Sequence, residues 1–439
     1  MHVHFIAIGG AAMHNLAMEL AARKHYTVTG SDDEIFDPAL SHLREAGLLP
    51  EQTGWHPENI TTDIDAVILG MHAREDNPEL VRARELNIPI YSFPQYLYEQ
   101  TKDKTRIVVA GSHGKTTTTA MILYVLRQLG IETDYMVGAQ ITGFERMVRL
   151  SDTSKYAVFE GDEYLTSPLD RRSKFLWYHP HTAILTGIAW DHINVFPTWD
   201  LYVDTFRQFT RTINDTLIYF EQDPVLAQLA AESKNIRCIP YNAYNGDVPM
   251  QVFGKHNMQN LQAACLACQQ TGITPEVFYD KISTFTGANN RLEKIAETGS
   301  FAAYKDFAHS PSKLRATINA VRERYPDRQL IACMELHTFS SLTADFLPQY
   351  KDSMREADVP IVYYNQHVIE HKHLAPISPD DVKSAFCQPN LQVFTDSQLL
   401  KDHLLSQNYR NSVLLLMSSG TFDGINVTDL TKHIIPNNN

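Results

Sequence analysis

Positive charge is scarce in this chain. Its 439 residues carry 38 lysines and arginines against 51 aspartates and glutamates, a formal net charge of −13. Broad nucleic-acid binding needs a basic face, so no nucleic-acid partner is expected. An anionic small molecule in a local basic pocket remains compatible. Long apolar runs are missing too, and no membrane insertion is expected. The opening MHVHFIAIGG has no basic n-region and no small-residue cleavage site. No signal peptide is therefore expected, and the expected address is cytoplasmic. Cysteines number only five. Cys265 and Cys268 form a C-x-x-C, but no second pair completes a zinc site. They lie in an apolar helical stretch and read as buried free thiols. Internal repeats and low-complexity segments are absent.

What is present is the make-up of a soluble globular protein, 44% hydrophobic and 20% charged. The length implies two to four domains. The first hundred residues alternate strand and helix: a strand over His2–Ile8, a helix over Ala11–Arg23, a strand over Tyr26–Gly30, an apolar run at Ala66–Leu69 and a helix over Pro78–Leu86. That rhythm predicts a mostly parallel sheet. The polar stretch 100–105 reads as a linker. A second unit opens with the strand Arg106–Ala110 and a helix over Thr116–Leu129. Runs at Tyr156–Phe159 and Thr182–Leu185 add strands, and the unit extends to about Glu297. A third unit begins near Phe301, with strands at Gln329–Met334, Val359–Tyr364 and Ser412–Met417 and a parallel α/β alternation. The tail 436–439 reads as frayed.

The sharpest signal is Ala110-Gly-Ser-His-Gly-Lys-Thr-Thr117 between a strand and a helix. Gly111 and Gly114 let backbone amides approach an anion. The helix N-terminus adds N–H groups and partial positive charge. Lys115 can reach terminal phosphates, and the Thr116 hydroxyl can sit on Mg²⁺. Val109 stands where the general pattern has its first glycine. Glu160-Gly-Asp-Glu163 follows one strand and Asp191-His192 another, at the sheet edge where ligands gather. Carboxylate and imidazole groups can both hold a divalent metal. Asn257 and Asn260 share a helix face and could read an adenine edge or a ribose; ordinary polar decoration is the alternative.

Taken in order, these motifs resemble the Mur ligase family, which builds and recycles bacterial cell-wall precursors. Gly111–Thr117 is similar to its G-T-H-G-K-T-T, Glu160–Glu163 to E-A-D-E, Asp191-His192 to D-H, His256–Asn260 to H-N-x-x-N, and Asp306–Pro311 to D-[FY]-[AG]-H-[HT]-P. The resemblance implies three α/β domains. A Rossmann-like UDP-sugar domain spans 1–104, a central P-loop ATPase domain with a mostly parallel sheet 105–297, and a Rossmann-like amino-substrate domain 298–439. It implies an ATP- and Mg²⁺-dependent ligase that makes an acyl phosphate on UDP-N-acetylmuramate and hands the acyl group to an amine. A monomer or weak oligomer is expected.

Carried over by motif, Lys115, Glu160, His192 and His309 are the implied catalytic set. Gly111, Ser112, His113, Gly114, Lys115, Thr116, Thr117, Asn257, Asn260, Arg291 and Asp306 would hold ATP. Thr116, Glu160 and His192 would bind the metal. Gly9, Gly10, Ser31, Asp32, Arg171, Arg172 and Lys174 would bind substrate. Asp170–Phe175, Glu163-Tyr164 and Met417–Gly424 look like the branch that adds L-alanyl-γ-D-glutamyl-meso-diaminopimelate in peptidoglycan recycling. Leu336–Phe339 is nearer the branch that adds L-alanine. Departures exist as well. Ala7-Ile-Gly-Gly-Ala-Ala12 lacks two of the family's usual glycines, and Ala288–Glu293 keeps only Arg291 of an arginine-rich stretch. A catalytically weakened UDP-sugar-binding homologue is therefore a third reading.

Overall fold

The computed structural model describes residues 1–71, 73–141, 143–246, 248–250 and 252–435. The tail expected to fray lies outside them. The first of three sheets holds β1 (His2–Ile6), β2 (Thr27–Ser31), β3 (Ala66–Leu69) and β4 (Ile90–Ser92), all parallel in the order β2-β1-β3-β4. Parallel neighbours need crossovers, here including the helices Ala11–Ala21 and Pro78–Glu85. β1 stops short of the expected Ile8. Ala7 turns to a φ of 65°, and the Ala7 and Ile8 amides both fold back onto Ser31 O. The stretch 100–105 is not a linker along its length. Thr101 closes the helix Phe93–Thr101, its hydroxyl donating to Leu97 O at 2.7 Å, and Thr105 opens the next strand.

The second sheet contains β5 (Thr105–Ala110), β6 (Thr133–Met136), β7 (Val148–Arg149), β8 (Tyr156–Gly161), β9 (Thr182–Leu185), β10 (Thr216–Phe220) and β11 (Arg237–Tyr241). Its order is β11-β10-β9-β5-β8-β6-β7, and β7 alone runs antiparallel to its neighbour. β5 lies between β9 and β8, and Ile107–Ala110 are buried on both faces. This explains why the strand reads as a continuous apolar run. β8 extends two residues past Phe159, so Glu160 is a strand residue, in register with Val109.

The third sheet is β12 (Glu293–Glu297), β13 (Phe301–Asp306), β14 (Gln329–Glu335), β15 (Val359–Tyr363), β16 (Gln392–Phe394) and β17 (Ser412–Met417), in the order β12-β13-β17-β14-β15-β16. β12, expected to close the middle unit, pairs antiparallel with β13 and edges this sheet instead. Alternation separates two cores. Ala302, Tyr304, Ala332, Met334, Leu415 and Met417 pack on one face with the helix Pro311–Arg324. Ala303, Ile331, Cys333, Leu414 and Leu416 pack on the other with the helices Ser397–Ser406 and Val427–Ile434.

The chain forms two compact units. Met1–Ile188, Asp200–Asn242 and Leu261–Ser283 make one, carrying the first two sheets. Ala189–Trp199, Ala243–Asn260 and Thr284–Asn439 make the other, carrying the third. Asp191, His192, Asn257 and Asn260 thus belong with the C-terminal sheet. No described helix is long and apolar enough to cross a membrane.

Candidate active site

In the first unit, β5 delivers the chain to Gly111 and the helix Lys115–Gln128 takes it away. The turn needs both glycines. Gly111 has φ 123° and Gly114 φ 73°, a region costly for L side chains. A Cβ on Gly111 would stand 2.4 Å from Thr186 Oγ1 and 2.9 Å from Gly187 O. Ser112 N donates to Gly187 O at 2.8 Å, and Thr186 Oγ1 donates to His113 O, so the end of β9 braces the loop. The first turn of the helix directs its N–H groups and positive dipole end at this loop.

Lys115 Nζ donates to Gly111 O at 2.7 Å and to Glu163 Oε2 at 2.8 Å. Glu163 is itself buried and accepts from Tyr202 OH at 2.9 Å; that hydroxyl lies 2.9 Å from Ser112 Oγ. Burial works against the Lys115 ammonium. Glu163, Asp162 and Glu160 outweigh it and hold the amine charged, well above the ordinary lysine range. Thr116 Oγ1 donates to Glu160 Oε1 at 2.9 Å, while Gly138 N donates to Glu160 Oε2 at 2.7 Å. The hydroxyl of Thr116 and the carboxylate of Glu160, placed together from a helix and a strand, form a hard-oxygen donor pair suited to Mg²⁺. Glu160, Lys115, Thr116 and the Gly111–Thr117 loop, all read from sequence, are thus brought together. Tyr202 and Gly138 were missed. They lie tens of residues away in sequence and belong to no local motif.

The basic stretch behind Glu163 is largely engaged. Arg172 forms two side-chain bonds with Asp170, at 2.9 and 2.8 Å, and lies over the Trp177 ring at 4.4 Å. Lys174 Nζ donates to Asp162 Oδ2 at 2.7 Å. Arg171 is exposed on the same turn.

The N-terminal loop is a second strand–loop–helix junction. Gly9 N donates to Asp32 Oδ2 at 2.7 Å, and a Cβ on Gly9 would stand 2.9 Å from that oxygen. Burial lifts the Asp32 carboxyl to about 6; the Gly9 amide pulls it back only in part, and Asp33 adds to the rise. Gly10 precedes the helix Ala11–Ala21, and Ser31 ends β2.

In the C-terminal unit, Asp306 ends β13 and holds the turn that follows. Its Oδ2 accepts from Leu292 N at 2.6 Å and its Oδ1 from Ala308 N at 2.7 Å. Phe307 N donates to Asn290 O, and the Arg291 guanidinium lies 4.6 Å from the Phe307 ring centre. Asn290 and Leu292 adopt positive φ on either side of Arg291, a strained pair that Asp306 fastens. Asp306, expected to contact ATP, thus spends both carboxylate oxygens on the backbone that flanks Arg291 and on its own turn. His309 donates from Nδ1 to Phe307 O at 2.8 Å, which leaves Nε2 facing Asp191 at 4.0 Å. Lys313, one helical turn on, stands 3.8 Å from the same carboxylate. Burial, then Lys313, pushes the His309 imidazole down and keeps it neutral. Burial would raise Asp191, but the Lys313 ammonium leads the charges that outweigh it and hold it ionised. His192 N donates to Asp191 Oδ1 at 2.8 Å in a turn where His192 has φ 54°. Asn260 Nδ2 donates to Asn257 Oδ1 at 3.3 Å, and Asn257 Nδ2 to Phe253 O at 2.8 Å, so the two amides also serve each other. Lys313 was missed because its role depends on a partner more than a hundred residues earlier.

Cys265 and Cys268 are buried free thiols. Among the described residues no cluster of three or more His, Cys, Asp or Glu forms a metal cage.

Residues 2–105 match the family model described as Mur ligase family, catalytic domain, and residues 109–243 match the Mur ligase middle domain. A UDP-N-acetylmuramate–L-alanyl-γ-D-glutamyl-meso-2,6-diaminoheptandioate ligase of Haemophilus influenzae is 28% identical over 98% of this chain and 99% of its own length. A UDP-N-acetylmuramate–L-alanine ligase of Desulfitobacterium hafniense is 30% identical over 82% of this chain and 84% of its own. The crystal structure of a murein peptide ligase from Psychrobacter arcticus superposes with a TM-score of 0.70 at 24% identity, covering 99% of this chain and 98% of that one. With family models matching 2–105 and 109–243, and a 30% identical relative spanning 82% of it, the chain belongs to the Mur ligase family.

Proposed function

We propose that this protein joins UDP-N-acetylmuramate to L-alanyl-γ-D-glutamyl-meso-diaminopimelate at the expense of ATP, a peptidoglycan-recycling reaction in the cytoplasm. The observation that carries the chemistry is the Lys115 ammonium held charged against Gly111 O and Glu163 beside the Thr116–Glu160 pair. Carboxylate and triphosphate repel one another, so a transfer between them needs cations fixed in line with the reacting oxygens. Lys115 supplies one. Thr116 and Glu160, with His192, are the residues proposed to hold Mg²⁺, which would add neutralisation of the phosphate charge. A carboxylate oxygen of the muramoyl group attacks the γ-phosphorus, the bond to ADP breaks, and an acyl phosphate forms. The amine then attacks the acyl carbon, and phosphate leaves with that oxygen. Arg291, carried by its Asp306-fastened turn, is proposed to neutralise ATP phosphates. Asn257 and Asn260 are proposed to meet the nucleoside, and His309, its Nε2 facing the ionised Asp191, to position the attacking amine. Gly9, Gly10, Ser31 and Asp32 are proposed to hold the UDP-sugar, and Arg171 with Lys174 the acidic substrate. Domain limits of 1–104, 105–297 and 298–439 are proposed for the three functions, with β12 structurally part of the last.

End-to-end similarity to the tripeptide-adding relative and the Asp170–Phe175 stretch favour the tripeptide. A second reading, L-alanine as acceptor, draws on Leu336-His-Thr-Phe339 and the 30% relative. Phosphate release from ATP, measured with UDP-N-acetylmuramate and either amine, separates them. Release that depends on tripeptide is expected. Turnover on alanine alone would transfer the reaction to the second reading, and UDP-sugar binding without turnover on either amine would mark a weakened homologue.

A further inference from the structure

Glu79 is a fully buried carboxylate, with 0% of its surface exposed, to which the proposed reaction gives no role. Asn77 starts its helix by accepting from Glu79 N and Leu80 N at 3.0 and 3.1 Å, so the carboxylate sits in the first helical turn. The dipole there favours its charge. Each oxygen is engaged from a different segment. Oε2 accepts from Ser31 Oγ and lies 3.3 Å from His4 Nε2, and Oε1 accepts from His56 N at 2.7 Å. His4 is held in turn by Thr29, whose hydroxyl lies 2.9 Å from His4 Nδ1.

The three segments converge on the N-terminal loop. Ser31 O receives the amides of Ala7 and Ile8 at 2.9 and 3.1 Å, immediately before Gly9 and Gly10. Asp32 fixes Gly9 N through its side chain, and its backbone oxygen accepts from Gly54 N at 2.8 Å, two residues before His56. His56 Nε2 is buried with no hydrogen-bond partner among the described residues. A buried polar atom left so is costly unless something meets it. Removing Glu79 would release Ser31 and the Gly54–His56 turn together.

We infer that Glu79 is a positioning residue for the UDP-sugar: through Ser31 and His56 it sets the backbone of the Ala7–Gly10 loop and of the Asp32 turn that receive the nucleotide. This rests on the reading that Gly9, Gly10, Ser31 and Asp32 hold the UDP-sugar. It predicts a defect confined to one substrate. In the full-length protein, Glu79→Gln weakens UDP-N-acetylmuramate binding by about tenfold in calorimetry. ATP affinity and the turnover number at saturating UDP-sugar stay within about twofold. Ser31→Ala gives a similar loss, and the double variant is no worse than the poorer single one, because both act through the same bond. Equal UDP-sugar affinity in Glu79→Gln and the parent would overturn the inference. So would additive losses, or a parallel fall in ATP affinity, which would mark a general folding role. Should Glu79→Gln fail to fold, Glu79→Asp decides, because it keeps the charge and shortens the reach to Ser31 Oγ and His56 N: unchanged UDP-sugar affinity contradicts the inference. A parent protein that binds ATP but no UDP-sugar would instead overturn the underlying functional reading, and the inference with it.

Discussion

Two junctions in the first unit share one plan, a β-strand turning through glycine into a helix, and use it differently. At Gly111–Lys115 the turn is stocked with charge: Lys115 bonds Gly111 O and Glu163, and Glu160 takes Thr116. At Ala7–Ala11 no cation is built in, and Asp32 occupies the Gly9 amide. Positive φ falls to Gly111 and Gly114 in one and to Ala7 in the other. Charge fixed in place suits phosphoryl transfer, where catalysis is mostly positioning and electrostatics. A loop closed by the Asp32 carboxylate and by backbone, with no cation in it, suits holding a nucleotide without cleaving it. The difference teaches that glycine pattern alone does not assign chemistry; the side chains that close the loop do.

Breaking the charged junction should have the largest effect. Lys115→Ala is expected to lower phosphate release by roughly a thousandfold or more while UDP-N-acetylmuramate binding in calorimetry persists. Retained turnover would remove the phosphate loop from the mechanism. Next come Arg291→Ala and Asp306→Ala, each expected to cost on the order of a hundredfold in turnover. On the proposal that Asp306 acts only by fixing the turn that carries Arg291, the double variant should be no slower than Arg291→Ala. Multiplying losses would show that Asp306 has its own contact.

Breaking the cation-free junction should trade function for stability. A free aspartate titrates near about 4, and burial lifts Asp32 to about 6. The fold binds this proton more tightly than the unfolded chain does. The carboxylate therefore destabilises the fold progressively as pH rises from about 4 to 6, and fully above that. Asp32→Asn should weaken UDP-sugar binding about tenfold. In thermal unfolding it should stabilise the protein by about 1 kcal/mol near pH 7.5, with the gain gone near pH 4. A gain equal at both pH values would show that titration of Asp32 is not its source. The smallest effect is expected from Arg172→Ala. This arginine is committed to Asp170 and Trp177, so the KM for tripeptide should move less than about twofold, against several-fold for Arg171→Ala.

The charged junction was legible in sequence because it is local. Strand, glycines, lysine and threonine occupy a dozen consecutive positions, and the carboxylate at Glu160 lies near the end of a strand in register with β5. The order of the three α/β regions was legible for the same reason, as periodicity and short apolar runs. What escaped depends on contacts between distant residues. Tyr202 reaches Glu163 from a helix thirty-nine residues on, and Lys313 meets Asp191 across the C-terminal unit. β12, Glu-Lys-Ile-Ala-Glu, has too little apolar character to announce itself, and only its pairing with β13 reveals which sheet it serves. The cap at Asn77 could be read from Asn-Pro before a helix, but not that the next glutamate is buried beneath Ser31.

The most direct test follows one oxygen. UDP-N-acetylmuramate labelled with ¹⁸O in its carboxylate is turned over with ATP and the tripeptide, and the released phosphate is weighed by mass spectrometry. Carboxylate activation predicts one labelled oxygen in each phosphate formed from doubly labelled substrate. Unlabelled phosphate accompanying amide formation would contradict it.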